Sequence, residues 1–381
     1  MISAPRPAGP AGTALADPSR RRFRRMLSEF RERLEAELES FFRSKRAGLP
    51  GGSRAAELVD GVGRLVQGGG KRLRPALVYH TYRGCGGASE AAVLPLAVSI
   101  ELLHTYLLIH DDIMDHSALR RGQPSAHEEF RRRHERCAWP GDSADFGRSM
   151  AILLGDLAYT WAVEQYQLAR RGTAGRASSD ELQRKLDGAF SRTCEEVIAG
   201  QYLEMHLPVR DRPDEEELLQ VLRLKSGRYS VERPMELGAL LGGASQERLA
   251  ALREYGENVG EVFQLQDDIL GVFGEAEALG KPVGSDLREG KFTFLIHETL
   301  RQTSSAESRK LRGMLGREGL TPAEVEEARA IIRRSGGLAA VQAMIDARLG
   351  AAREALDNLS FEPDAFSFFT GLIAYSRDRD R

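Results

Sequence analysis

The chain reads as an all-α protein, one large helical bundle of 381 residues. Three observations predict that class. Apolar residues recur at the helical period over long stretches. No stretch alternates as a half-buried strand does, and no Asn-Gly hairpin signal occurs. Clusters of glycine and proline punctuate the gaps between the periodic stretches.

In chain order, residues 1–22 are rich in Ala, Pro and Gly and then turn basic, which predicts a disordered leader. FRRMLSEFRERLEAELESFF (23–42) places its apolar side chains on one stripe, a first surface helix. The same period predicts helices over 94–115, 149–169, 180–205, 255–273 and 337–359. Breakers separate them: GCGGAS (84–89), Trp139-Pro140-Gly141, RRGTAGRASS (170–179), LPVRDRPDEE (207–216) and GEAEALGKPVGSD (274–286). Composition shifts nowhere, so residues 23–381 are expected to form a single all-α domain.

The bulk numbers exclude several classes. With 54 basic and 56 acidic residues the formal charge is −2, so no global field argues for nucleic acid or an anionic membrane. AAVLPLAVSIELLHTYLLI (91–109) contains Pro95, Glu101 and His104, so no membrane span is expected. The 3 cysteines follow neither disulfide nor zinc spacing, which suggests a reducing cytoplasm.

Chemistry concentrates where helices end. LLIHDDIMD (107–115) closes an apolar run with Asp111, Asp112 and Asp115. At about 100° per residue, Asp111 and Asp115 lie within roughly 40° of each other. Like charges so placed are either solvated at a helix end or held by a cation between them. QLQDDILGVFG carries Asp267 and Asp268 in a second apolar run, with Gln264 a turn earlier. Two acidic pairs facing across a bundle suit Mg²⁺, which takes few protein oxygens and leaves positions to water and phosphate.

Basic groups surround these motifs. GGGKRLRP (68–75) supplies Lys71, Arg72 and Arg74 after glycines that let backbone N–H groups approach an anion. RRGQP supplies Arg120 and Arg121, expected one to three turns below the aspartates if the helix runs on. Lys225 and Ser226 follow in LKSGRYS, then Lys281, Asp286, Arg288 and Lys291 in GKPVGSDLREGK. Fork-shaped guanidinium groups and ammonium groups together suit a diphosphate.

The combination GGGKRLRP, HTYLLIHDDIMD, RRGQP, GQY, KSGRY, FQLQDDILGVFG and GKPVGSDLREGK resembles the trans-isoprenyl diphosphate synthases of the polyprenyl synthetase family, most like geranylgeranyl diphosphate synthases. The similarity runs from about Gly68 to Lys291. It implies an all-α bundle with a central cavity, a homodimer, and Mg²⁺ as cofactor, three ions per active site. It implies Mg²⁺-dependent head-to-tail condensation of isopentenyl diphosphate with an allylic diphosphate. Asp111, Asp112, Asp115, Asp267 and Asp268 match metal positions, with Asp268 supporting Asp267. Lys71, Arg74, His104 and Arg121 match the isopentenyl diphosphate pocket. Arg120, Lys225, Ser226, Gln264, Lys281 and Lys291 match the allylic diphosphate pocket. Departures are Gly271, where the second motif often has a third aspartate, Ser226 for Thr, and Glu204 where Asp is common.

Product length depends on the pocket floor. On a straight helix Leu107 and Leu103 share the face of Asp111, and Tyr106 lies about 140° away. The resemblance points instead to Tyr106 as the floor, which implies a twenty-carbon product. The alternatives are a farnesyl or longer-chain synthase, or a non-catalytic subunit of a heteromeric synthase. A terpene cyclase would lack both the second aspartate pair and GGGKRLRP.

Overall fold

The computed structural model describes residues 17–50, 53–173, 179–207, 215–274, 283–317 and 319–377. The expected lysine Lys281 lies outside them. Nearly everything described is helical, in agreement with the predicted class. The order is α1 (Pro18–Ala47), α2 (Ala56–Gln67), α3 (Leu73–Gly84), α4 (Glu90–Met114), a short hairpin, α5 (Ala126–Arg136), α6 (Ser143–Arg171), α7 (Ser179–His206) and α8 (Glu215–Val221). A π-helical segment, Leu222–Glu232, leads into α9 (Arg233–Gly242) and α10 (Gln246–Phe273). The C-terminal part is α11 (Ser285–Glu289), α12 (Phe294–Gln302), α13 (Ser305–Arg312), α14 (Pro322–Ser335), α15 (Gly337–Asp357) and α16 (Pro363–Arg377).

The first helix starts earlier than the leader boundary at residue 22 suggested. Asp17 accepts from the Ser19 N–H at 2.9 Å and Pro18 occupies the first turn, so residues 18–22 are helical. The rest of that leader, residues 1–16, lies outside the described residues. The stripe predicted for α1 is the buried face: Phe23, Phe30, Leu34, Leu38 and Phe42.

The absence of strand was not complete. The chain leaves α4 at Asp115, and Leu119–Arg120 pairs antiparallel with Gln123–Pro124. The turn residues Arg121 and Gly122 both have positive φ, 54° and 74°, as a two-residue hairpin turn demands. The helix therefore does not run on beneath the aspartates. The hairpin folds Arg120 back onto them.

Two apolar clusters fill the bundle. The larger gathers α1–α7, α9, α16 and the first half of α10. The smaller gathers the second half of α10 and α11–α15. Helix α10 passes through both, and it packs on the π-helical segment and on α15. Helix α4 packs chiefly on α6. By length and composition α4 could cross a bilayer, but 72% of its most apolar window is buried inside the bundle.

Candidate active site

Helix α4 delivers the first acidic motif. Its apolar run is buried to Leu103 and again at Ile109, and the helix ends with Asp115 as C-cap. Asp112 is 3% exposed, which a carboxylate tolerates only with a partner. Arg120 is that partner, donating through Nε to Asp112 Oδ1 at 3.0 Å and through Nη2 to Asp111 Oδ2 at 3.4 Å. Lys225 donates to Asp111 Oδ1 at 3.2 Å and also pairs with Glu204. Lys291 lies 3.2 Å from Asp115 and 3.1 Å from Glu289. Each aspartate of the motif thus already faces a basic side chain. Burial alone would push the Asp111 carboxyl up, but Lys225, Lys291 and Arg120 hold it below its ordinary value. Burial likewise works against the Lys291 ammonium, yet Asp115, Asp286 and Glu289 keep its pKa well above the usual lysine range.

Helix α10 forms the far wall. Asp268 is 3% exposed and lines the cavity, while Asp267 is exposed. Gln264 donates to Asp268 Oδ1 at 2.7 Å, because four helical residues bring the two side chains together. Burial raises the Asp268 carboxyl well above its ordinary value, and the Asp286 and Asp267 carboxylates add to the rise. The glycine in place of a third aspartate has a steric reason: a Cβ on Gly271 would overlap the Asp286 carboxylate. Asp286 of α11 already occupies the volume that side chain would need.

The two walls enclose a cavity of about 600 Å³. Asp115, Glu204, Ser226, Gln264, Asp268 and Lys291 are among its polar lining, and Leu207, Leu218, Leu222 and Phe294 among its apolar lining. Among the described residues no three acidic, imidazole or thiol groups converge into a closed metal cage. The donor set still fits Mg²⁺, which is held by one or two carboxylates together with ligand phosphates.

The glycine loop lies against the hairpin. Gly69 and Gly70 have φ of 96° and 142°, and Arg121 donates to the Gly69 carbonyl. A Cβ on Gly70 would stand 2.9 Å from Arg121 Nη2, so the glycines are what let the guanidinium settle on the backbone. Lys71 sits 5.4 Å from the Tyr375 ring centroid. Arg72 is turned inward and pairs with buried Glu101, so it braces the loop and does not face a ligand. Arg74 reaches His104 Nε2 at 3.2 Å. Burial, then the Arg74, Arg121, Arg120 and Arg72 charges, holds the His104 imidazole neutral.

Lys225 and Ser226 ride on the π-helical segment. Backbones approach closely there. A Cβ on Gly200 of α7 would lie 2.7 Å from Lys225 Cα, and Gly227 and Gly260 meet backbone to backbone. Such wide turns recur at functional sites. The segment also carries Tyr229 and Ser230, which contact His104 and Arg74 and which sequence reasoning missed. Their signal was spacing, four and five residues after Lys225. Glu204 was noticed only as a departure, and it is the second anion on Lys225.

The three expected floor residues pack in or against the larger apolar cluster. Leu103 is fully buried in the core, Leu107 is partly buried against it, and neither lines the cavity. Tyr106 is half-buried with its ring 5.2 Å from that of Tyr159 on α6 and 4.7 Å from that of His110. It too lies outside the cavity lining.

Fold and site together define an all-α bundle built to handle diphosphate between two acidic helices. The polyprenyl synthetase family profile matches residues 56–332. The chain is 35% identical to a short chain isoprenyl diphosphate synthase of Methanocaldococcus jannaschii, over 73% of this chain and 77% of that protein. It is 33% identical to a geranylgeranyl diphosphate synthase of Methanosarcina mazei, over 82% of this chain and 87% of that one. The fold superposes with a TM-score of 0.80 on a geranylgeranyl pyrophosphate synthase of Corynebacterium glutamicum complexed with isoprenyl diphosphate and magnesium, at 29% identity, covering 96% of this chain and 99% of that chain. The chain belongs to the polyprenyl synthetase family, and its enzymatic class is prenyltransferase.

Proposed function

We propose that this protein condenses isopentenyl diphosphate head to tail with an allylic diphosphate and makes geranylgeranyl diphosphate. The observation that carries the reading is that α4 brings Asp115 and α10 brings Asp268 to one cavity whose walls also carry Arg288 and Lys291. The homologues named above support it.

In this reading Asp111, Asp112 and Asp115 on one side and Asp267 and Asp268 on the other hold Mg²⁺, three ions per active site. Magnesium bound there with the allylic diphosphate supplies charge neutralisation of the leaving group. Arg120, Lys225 and Lys291 turn from carboxylates to phosphate oxygens, Lys281 adds a further cation, and Ser226 and Gln264 add neutral contacts. They favour the separated charge that develops as the allylic C–O bond breaks. Lys71, Arg74, His104 and Arg121 hold isopentenyl diphosphate so that its double bond meets the allylic cation, which replaces a bimolecular encounter with a positioned one. The new C–C bond leaves a cation that loses a proton to the departed diphosphate. The apolar lining, Leu207, Leu218, Leu222 and Phe294, keeps water from the cation. The active unit in this reading is a cytoplasmic homodimer, its protomer the single domain 23–381.

Product length tests the reading and the floor together. Purified protein with Mg²⁺, isopentenyl diphosphate and, separately, the five-, ten- and fifteen-carbon allylic diphosphates should yield a twenty-carbon diphosphate by mass. Tyr106→Ala should lengthen the product by one or more five-carbon units. A wild-type product of another length discards Tyr106 as the floor. Absence of condensation with every starter moves the assignment to a non-catalytic subunit.

A further inference from the structure

Arg74 and His104 form one polar chain with two residues of the π-helical segment. Arg74 Nη2 donates to Ser230 Oγ at 2.6 Å, and Arg74 Nη1 lies 3.2 Å from His104 Nε2. A guanidinium offers only N–H groups, so Nε2 is the accepting nitrogen. The proton of the neutral ring therefore sits on Nδ1, which faces Tyr229 Oη at 2.9 Å and donates to it. The Tyr229 ring also packs against Arg74, whose guanidinium carbon is 4.8 Å from the ring centroid. Tyr229 is 4% exposed, so its hydroxyl needs the partner it has. Two of the arginine's five N–H groups are used here, and others remain to meet a phosphate.

Resting on the isopentenyl diphosphate pocket proposed above, we infer that Tyr229 and Ser230 are its positioning residues: they fix the orientation of Arg74 and the ring face and tautomer of His104. Neither touches the reacting atoms. Both act by holding the gripping side chains before the ligand arrives, which reduces what binding must spend on ordering them. Their segment also carries Lys225 and Ser226, so one wide-turned element sets the geometry of both diphosphate pockets.

The test is steady-state kinetics with Tyr229→Phe, which keeps the ring and removes the acceptor, and with Ser230→Ala. Each should raise KM for isopentenyl diphosphate about five- to tenfold, the size of one lost hydrogen bond. KM for the allylic diphosphate should stay within about twofold, and the melting temperature should hold. Nitrogen NMR of histidine-labelled protein should find His104 protonated on Nδ1, with that signal displaced in Tyr229→Phe. An unchanged isopentenyl KM in both variants overturns the inference, as does an equal rise for both substrates. If Tyr229→Phe does not fold, Ser230→Ala decides alone. Wild-type protein that condenses nothing sinks the proposed pocket itself, a result separate from condensation with unaltered variants.

Discussion

At position 271 a glycine stands where the family pattern often has an aspartate, and Asp286 stands in its space. Gly271→Asp should therefore harm the protein although it moves the sequence toward the pattern. The new side chain overlaps a carboxylate and adds a like charge, an overpacking cost of about 1–3 kcal/mol. Thermal unfolding should register it as a clear fall in melting temperature, and Gly271→Asp combined with Asp286→Ala should recover most of the loss. An undiminished melting temperature in the single variant refutes the steric account. The acidic motifs were legible because helical period alone puts Asp111 near Asp115. The role of Asp286 was not, because it stands 18 positions beyond Asp268 on a different helix, and helical period does not carry from one helix to another. Arg120 was legible as a basic neighbour but not as a direct partner of Asp112. Its placement depends on a turn with two positive φ values, one of them at an arginine, a residue type that gives little warning of it.

Among the elements, the π-helical segment packs backbone to backbone on two neighbours. It leans on α7 through Gly200 and on α10 through Gly227 and Gly260. Gly200→Ala should push the Lys225 backbone away and cut kcat/KM at least about tenfold, with a falling melting temperature. Gly188→Ala on the same helix is the control. Its Cβ meets only the end of the flexible Arg192 side chain, and alanine favours a helix over glycine by roughly 0.5–1 kcal/mol. Equal behaviour of the two variants would remove the special status of Gly200. The helices with one clean stripe, such as α1, were readable from the sequence. The π-helical segment was not, since a widened turn has no separate apolar signature in so short a stretch.

Across the whole molecule, the first and last described helices pack together. Phe23 of α1 packs on Phe368 and Tyr375 of α16, at centroid distances of 4.9 and 5.1 Å, beyond both edges of the family match. Helices α6 and α7 leave large apolar side chains in solvent. Ile152, Leu153, Tyr159 and Leu168 of α6 and Ile198, Tyr202 and Met205 of α7 are exposed, Tyr202 by 64%. A run of large apolar side chains on neighbouring helices suits a second copy of the chain. Ile198→Glu with Tyr202→Glu should convert a dimer into a monomer in sedimentation equilibrium. A wild-type protein that sediments as a monomer at micromolar concentration would rule out the homodimer. The fold class came through in the sequence because period and punctuation agree along most of the chain. The surroundings of Tyr106 did not, because a helical wheel knows nothing of the neighbouring helix that carries Tyr159.

The ion pairs on α4 have a thermodynamic consequence. Arg120, Lys225 and Lys291 already answer Asp112, Asp111 and Asp115, so the carboxylates of α4 are compensated before any ligand binds. To accept a cation alone, the carboxylates must leave three basic partners stranded in a largely buried place; to accept a diphosphate alone, those basic groups must strand the carboxylates. When both arrive, every charge finds a replacement. In the function proposed above, the pocket therefore favours the arrival of the whole salt over that of either ion by itself.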